Sequence, residues 1–178
     1  MEQKIDMSVN RLPAKTWNRL SVNQAEIKDL TADGWQRPAV TVRYPKDEKP
    51  IVRELTTEQE SSVYKKMEQI RTGMGAEVSR LKPEDATDIC VETVEEGGES
   101  DERRERMRRD EVVLVLDYPD RKNCFQDVKI YARAGESVTV WTVVRSKKDA
   151  EGKAVLRTLL QAEENAKIRL VQVDLLGD

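Results

Sequence analysis

The sequence predicts an α+β N-terminal lobe over residues 1–80, a charged linker or insert over 81–110, and a mainly β region over 111–178. Three observations lead there. Helix-cap signals and a β-branched run alternate in the first 80 residues. A run of charge follows that buries almost nothing. After Asp110 apolar residues recur with period two, and part of that pattern repeats 30 residues later.

In the lobe, Leu12-Pro13 breaks any helix. Asn23 followed by Glu26, Ile27 and Leu30 has the spacing of a capped short helix that stops near Asp33-Gly34. Pro38 to Tyr44 is β-branched and alternating, ends at Pro45, and reads as a short strand closed by a charged turn through Lys49-Pro50. Thr57 and Glu60 form a capping-box pair. Val63, Met67 and Ile70 then share a helical face until Gly73-Met74-Gly75 ends the pattern.

Between Glu95 and Glu111, 13 of 17 residues are charged, and Gly97-Gly98 interrupts the run. Such a composition gives a solvated helix or a disordered insert, because little of it gains by leaving water. Five arginines lie between Arg103 and Arg109, and arginine forks suit phosphate. Eight acidic residues share the segment and no aromatic residue interleaves, so a linker is expected in place of a nucleic-acid site.

Beyond Asp110, Val112 to Leu116 is a continuous apolar run suited to a strand buried on both faces, and Val128/Ile130, Val138/Val140 and Ile168/Leu170 alternate. Turn residues punctuate the region at Pro119-Asp120, Ala134-Gly135, Asp149 to Gly152, Glu164-Asn165 and Gly177. Laying the segment from Ile130 over that from Leu160 pairs Ala132 with Ala162, Gly135 with Asn165, Val138 with Ile168 and Val140 with Leu170. Gly and Asn best tolerate positive φ at a turn. The offset therefore fits a β-solenoid, in which each unit buries its face on the next. Two copies are fewer than such stacks usually need, and an antiparallel meander fits the same residues.

Composition removes several function classes. The net charge of −3 argues against a general nucleic-acid binder. No stretch approaches the ~20 apolar residues of a transmembrane helix. Met1 to Asn10 carries Glu2, Lys4 and Asp6 where a signal peptide would be apolar, so a cytoplasmic chain is expected. There is no histidine, which excludes Ser-His-Asp and Cys-His catalysis and histidine-ligated zinc. Cys90 and Cys124 form no CxxC pattern and read as ordinary reduced thiols. No pair of carboxylates stands apart as an acid and base. Trp17 and Trp141 read as core anchors, with Trp141 on the strand face opposite Val138 and Val140.

Leu12-Pro13-Ala14-Lys15-Thr16-Trp17-Asn18-Arg19-Leu20, the segment Thr72-Gly73-Met74-Gly75, and the stretch AEENAKIRLVQVDLLG from Ala162 to Gly177 together resemble the shorter SufD-type members of the SufB/SufD family of iron–sulfur cluster assembly proteins. The resemblance spans nearly the whole chain. It implies that the lobe is followed by the first rungs of a right-handed parallel β-helix, and that the chain is a non-catalytic scaffold and not an enzyme. The implied partners are a SufC-type ABC ATPase and a SufB-type subunit or a second copy, with no nucleic acid and no membrane. An iron–sulfur cluster is implied for the full assembly and none for this chain alone. No phosphate-binding loop is present, since neither Gly97-Gly98 nor Gly73-x-Gly75 leads into Gly-Lys-Ser/Thr.

The chain departs from the family by stopping at Asp178 after about two rungs, so it is expected to be an N-terminal piece. The family's cluster-handling cysteine and histidine lie further on. No catalytic, cofactor or metal residue is therefore carried over. A single Cys124 thiolate holds no cluster by itself, and Cys90, between Ile89 and Val91, reads as a buried and inert thiol. The alternative function is a stand-alone interaction module that binds a partner along an exposed strand edge.

Overall fold

The computed structural model describes residues 4–9, 25–31, 34–45, 51–55, 67, 78–84, 86–93, 110–149 and 151–176. The chain is mostly β-strand, in several sheets, with few helical residues. A small sheet pairs β1 (Lys4–Val9) antiparallel with β2 (Ala25–Thr31). A second sheet runs β10-β8-β6-β5, with β3 (Trp35–Gln36) also against β8. Its members are β5 (Ile51–Leu55), β6 (Asp88–Glu92), β8 (Asn123–Ala132) and β10 (Ala154–Ala162). The third runs β11-β9-β7-β4, from β4 (Ala39–Arg43), β7 (Asp110–Tyr118), β9 (Ser137–Ser146) and β11 (Lys167–Leu175). From β6 onward the chain alternates between the β8 sheet and the β9 sheet.

The strands of this alternating part pair in parallel. β10 lies on β8 with Ala154 opposite Cys124 and Ala162 opposite Ala132, and β11 lies on β9 with Val138 opposite Ile168 and Val140 opposite Leu170. Each partner is 30 residues on, as in Trp141 to Glu111 and Lys153 to Asn123. Gly135 and Asn165, aligned from sequence, both hold positive φ, at 77° and 57°. The turns also stack. Gly135 N–H donates to Glu164 O at 2.9 Å, and Lys167 N–H to Glu136 O at 2.8 Å.

One core lies between the two large sheets. Ile89, Val91, Val128 and Ile130 from the β8 sheet meet Val112, Leu114, Leu116, Val138 and Val140 from the β9 sheet, all buried. These residues occupy every second position of their strands, which is why alternation points one side chain in two inward. The outer face of the β8 sheet is covered as well. Phe125 packs with Ile5, Leu30, Trp35, Val78 and Leu81, while Tyr131 packs with Met67, Cys90 and Leu159.

Several expectations meet these facts. The helix read from Asn23 to Asp33 is instead strand β2. Ile27 and Leu30, three apart, would face opposite ways on a regular strand. A register shift between Ile5 and Met7 lets both join the Phe125 cluster, so a bulge imitates helical spacing. The strand read at 38–44 is present as β4. It pairs antiparallel with β7, so part of the N-terminal lobe shares a sheet with the later strands. Within 81–110, the segment read as a linker, Asp88–Glu92 is strand β6, buried throughout and flanked by β5 and β8. Most of the helix read from Thr57 to Ile70, the run from 95 to 109, Trp17 and Gly73 to Gly75 lie outside the described residues.

Candidate interface at the outermost strands

β10 and β11 stand at the ends of their sheets, each paired on one side. Their inward side chains therefore have core on one side and no strand on the other. Leu156, Ile168 and Leu170 are half-buried against the core, whereas Val128, Val138 and Val140, one strand further in, are buried. Leu160 is 45% exposed, directly beside Ile130 at 0%. Leu175 and Leu176 are 55% and 49% exposed. Covering one half-exposed leucine contributes about 1 kcal/mol. The edge thus joins unpaired backbone to apolar side chains, the combination that recruits another strand.

Charge is arranged differently on the two sheets. On the outer face of the β8 sheet, Asp88 (1% exposed) accepts from Lys82 Nζ at 2.6 Å and pairs with Lys129 Nζ at 2.8 Å. Asp127 (also 1% exposed) takes Arg157 Nε at 2.6 Å and Nη2 at 2.5 Å, and Arg157 Nη1 donates to Ser79 Oγ at 2.9 Å. Burial by itself would raise the Asp88 pKa. The hydrogen bonds and charges of Lys129 and Lys82 outweigh it and hold the carboxyl below its ordinary range. Arg157 also lies over the Phe125 ring, 5.7 Å from its centroid. This cluster ties residues 79–88 to β8 and β10. On the β9 sheet, Arg145 pairs with Asp117 in solvent, and that hydrogen bond lowers the Asp117 pKa.

The residues singled out from sequence fall apart in space. Cys90 is a buried free thiol among Met67, Tyr131 and Leu159. Cys124 is a buried free thiol on the inner face of β8. Burial pushes its pKa up, partly offset by a 3.9 Å contact from Gln36 Nε2. Neither is poised as a thiolate ligand. Trp141 is half-buried on the outer face of the β9 sheet, where its Nε1 donates to Glu111 Oε1 at 2.8 Å. The N-terminal strands pack elsewhere, at Phe125. Among the described residues no group of three or more His, Cys, Asp or Glu could hold a metal ion, and no helix is long and apolar enough to cross a membrane.

Sequence reading missed the Asp88/Lys129/Asp127/Arg157 cluster. Its one local signal is Asp127 and Lys129 alternating with Val128 and Ile130, and alternation of that kind reads as a solvated face. Comparison with family models, curated proteins and solved structures returns no match to this chain.

Proposed function

We propose that the two parallel ladders are rungs of a right-handed β-helix, and that the chain is a non-catalytic scaffold subunit of the SufB/SufD type, acting with a SufC-type ATPase and a SufB-type partner. The observation that carries this reading is the in-register parallel pairing at a 30-residue offset, with turn residues Gly135 and Asn165 at the same point of successive units. A scaffold of this kind presents an edge for assembly, and β10 and β11 provide one. The test is co-expression with a SufC-type ATPase and a SufB-type subunit, followed by size-exclusion chromatography with light scattering. A stable complex with the complete protein is expected. Loss of both partners during purification overturns the reading. Anaerobic incubation of the 178-residue chain with iron and sulfide is expected to leave it colourless.

The exposed Leu160, Leu175 and Leu176 favour a second reading, an interaction module that adds a partner's strand to β10 or β11. Under it, Leu160→Lys abolishes partner binding and leaves the fold intact, with no dependence on an ATPase.

A further inference from the structure

At one corner of the molecule the turn between β7 and β8 lies against the turn between β9 and β10, and a cavity of about 210 Å³ opens between them and the end of β11. Tyr118, Lys122, Ser146, Gly152, Lys153 and Leu176 are among its lining residues. The walls are fixed by backbone bonds. Arg121 N–H donates to Glu151 O at 2.5 Å, Cys124 N–H to Lys153 O at 2.8 Å, and Lys153 N–H to Asn123 Oδ1 at 3.1 Å. Arg121, Asp149 and Gly152 all hold positive φ here, at 56°, 57° and 133°. A Cβ on Gly152 would stand 2.4 Å from Lys122 O, so only glycine allows the two turns this close.

The lining is rich in donors that lack acceptors. The Tyr118 hydroxyl is buried with no hydrogen-bond partner, in a residue 7% exposed. A buried hydroxyl left unbonded costs stability, so its presence calls for an explanation. Burial, with Cys124 and Asp174 nearby, pushes its pKa up, which keeps it a donor. Neither Lys122 nor Lys153 has an ion-pair partner among the described residues. Of the acids near the cavity, Glu151 lies 3.8 Å from Arg121 Nε and Asp174 accepts from Gln172 at 3.0 Å.

We propose that this cavity is a binding site for a small oxyanion, the carboxylate or phosphate group of a metabolite, held by the Tyr118 hydroxyl and the Lys122 and Lys153 ammonium groups. Ammonium and phenol donors around one cavity select a ligand made of acceptors. The inference is independent of the scaffold reading.

The test is titration of the full 178-residue chain, followed by amide chemical-shift mapping, with inorganic phosphate in one arm and succinate in the other, each against sodium chloride at matched ionic strength. Saturable shifts confined to 118–122, 146–154 and 174–176 are expected in at least one arm, and the tighter arm identifies which oxyanion the site takes. Tyr118→Phe, which keeps the ring, is expected to weaken binding about tenfold. Lys122→Gln combined with Lys153→Gln is expected to abolish saturation while the remaining spectrum stays folded. Shifts that match chloride in both arms overturn the proposal. Binding that persists unchanged in Tyr118→Phe and in the double lysine variant does so too.

Discussion

β8 and β9 are both ten-residue strands in parallel ladders, yet β8 is buried at nine consecutive positions while β9 alternates buried and half-buried over most of its length. Their inward residues are alike, Val128 and Ile130 against Val138 and Val140. The difference lies on the outer faces. Residues 5, 30, 35, 67, 78 and 81 cover the β8 sheet, so Asp127 and Lys129 sit in a dry interface and must be paired. On the β9 sheet Asp117 and Arg145 keep contact with water. The same alternation of apolar and charged residues thus yields a buried ionic cluster in one sheet and a surface pair in the other.

The largest expected effect tests that contrast directly. Asp88→Ala leaves Lys129, whose side chain is 4% exposed, without its carboxylate partner, and is expected to cost about 3–5 kcal/mol in urea unfolding. Arg145→Ala on the other sheet is expected to cost less than about 1 kcal/mol. Equal costs would mean that the outer cover of the β8 sheet does not isolate the cluster from water.

Core truncations sharpen the same comparison along the stack. Ile130→Ala is expected to cost about 2–5 kcal/mol, and Leu170→Ala clearly less, because Leu170 already keeps partial contact with water. A partner that covers β10 and β11 would bring the two values together.

Acid should also distinguish the sheets. The folded pKa of Asp88 lies below its ordinary value of 3.8, so its pairing contributes stability that is present above that value and lost as pH falls through the lowered folded value. Below about pH 4 the wild-type chain should therefore lose stability faster than Asp88→Ala does, as read from denaturation midpoints across a pH series. Parallel slopes for the two proteins would show that Asp88 carries no acid-linked stability.

The smallest effects concern single groups. Thr142 is buried, and its hydroxyl has no hydrogen-bond partner. Thr142→Val keeps the shape, removes that orphan, and should raise stability by up to about 1 kcal/mol. Asn165→Val, which places a β-branched residue at φ 57°, should lower it by about 1–2 kcal/mol, whereas Asn165→Gly should be nearly neutral. Thermal melts of the three variants would settle their order.

Much of the later β region is legible without coordinates, because its signals are local. Inward residues recur every second position from Val112 to Leu170, and the residues aligned from sequence at Ile130, Ala132, Val138 and Val140 face their 30-residue counterparts in the ladders. The candidate site was less legible. The exposure of Leu160, Leu175 and Leu176 depends on which strands end a sheet, and the cavity depends on two turns meeting at Gly152. Neither is a property of a short window of sequence.

What the sequence determined by itself was period and turn chemistry: alternation selects an inward face, and Gly135 and Asn165 accept the left-handed backbone that reverses the chain. Tertiary structure decided the rest. Residues 25–31 became a strand because β1 lay beside them with a bulge that brings Ile27 and Leu30 to the same cluster. Residues 88–92 entered a sheet because β5 and β8 flank them. Asp127 and Lys129 became interior groups because residues far along the chain cover them, Arg157 reaching Ser79 across a separation of 78. Parallel pairing and the cover on an outer face are both set by partners remote in sequence, and burial by a distant segment leaves no trace in local periodicity.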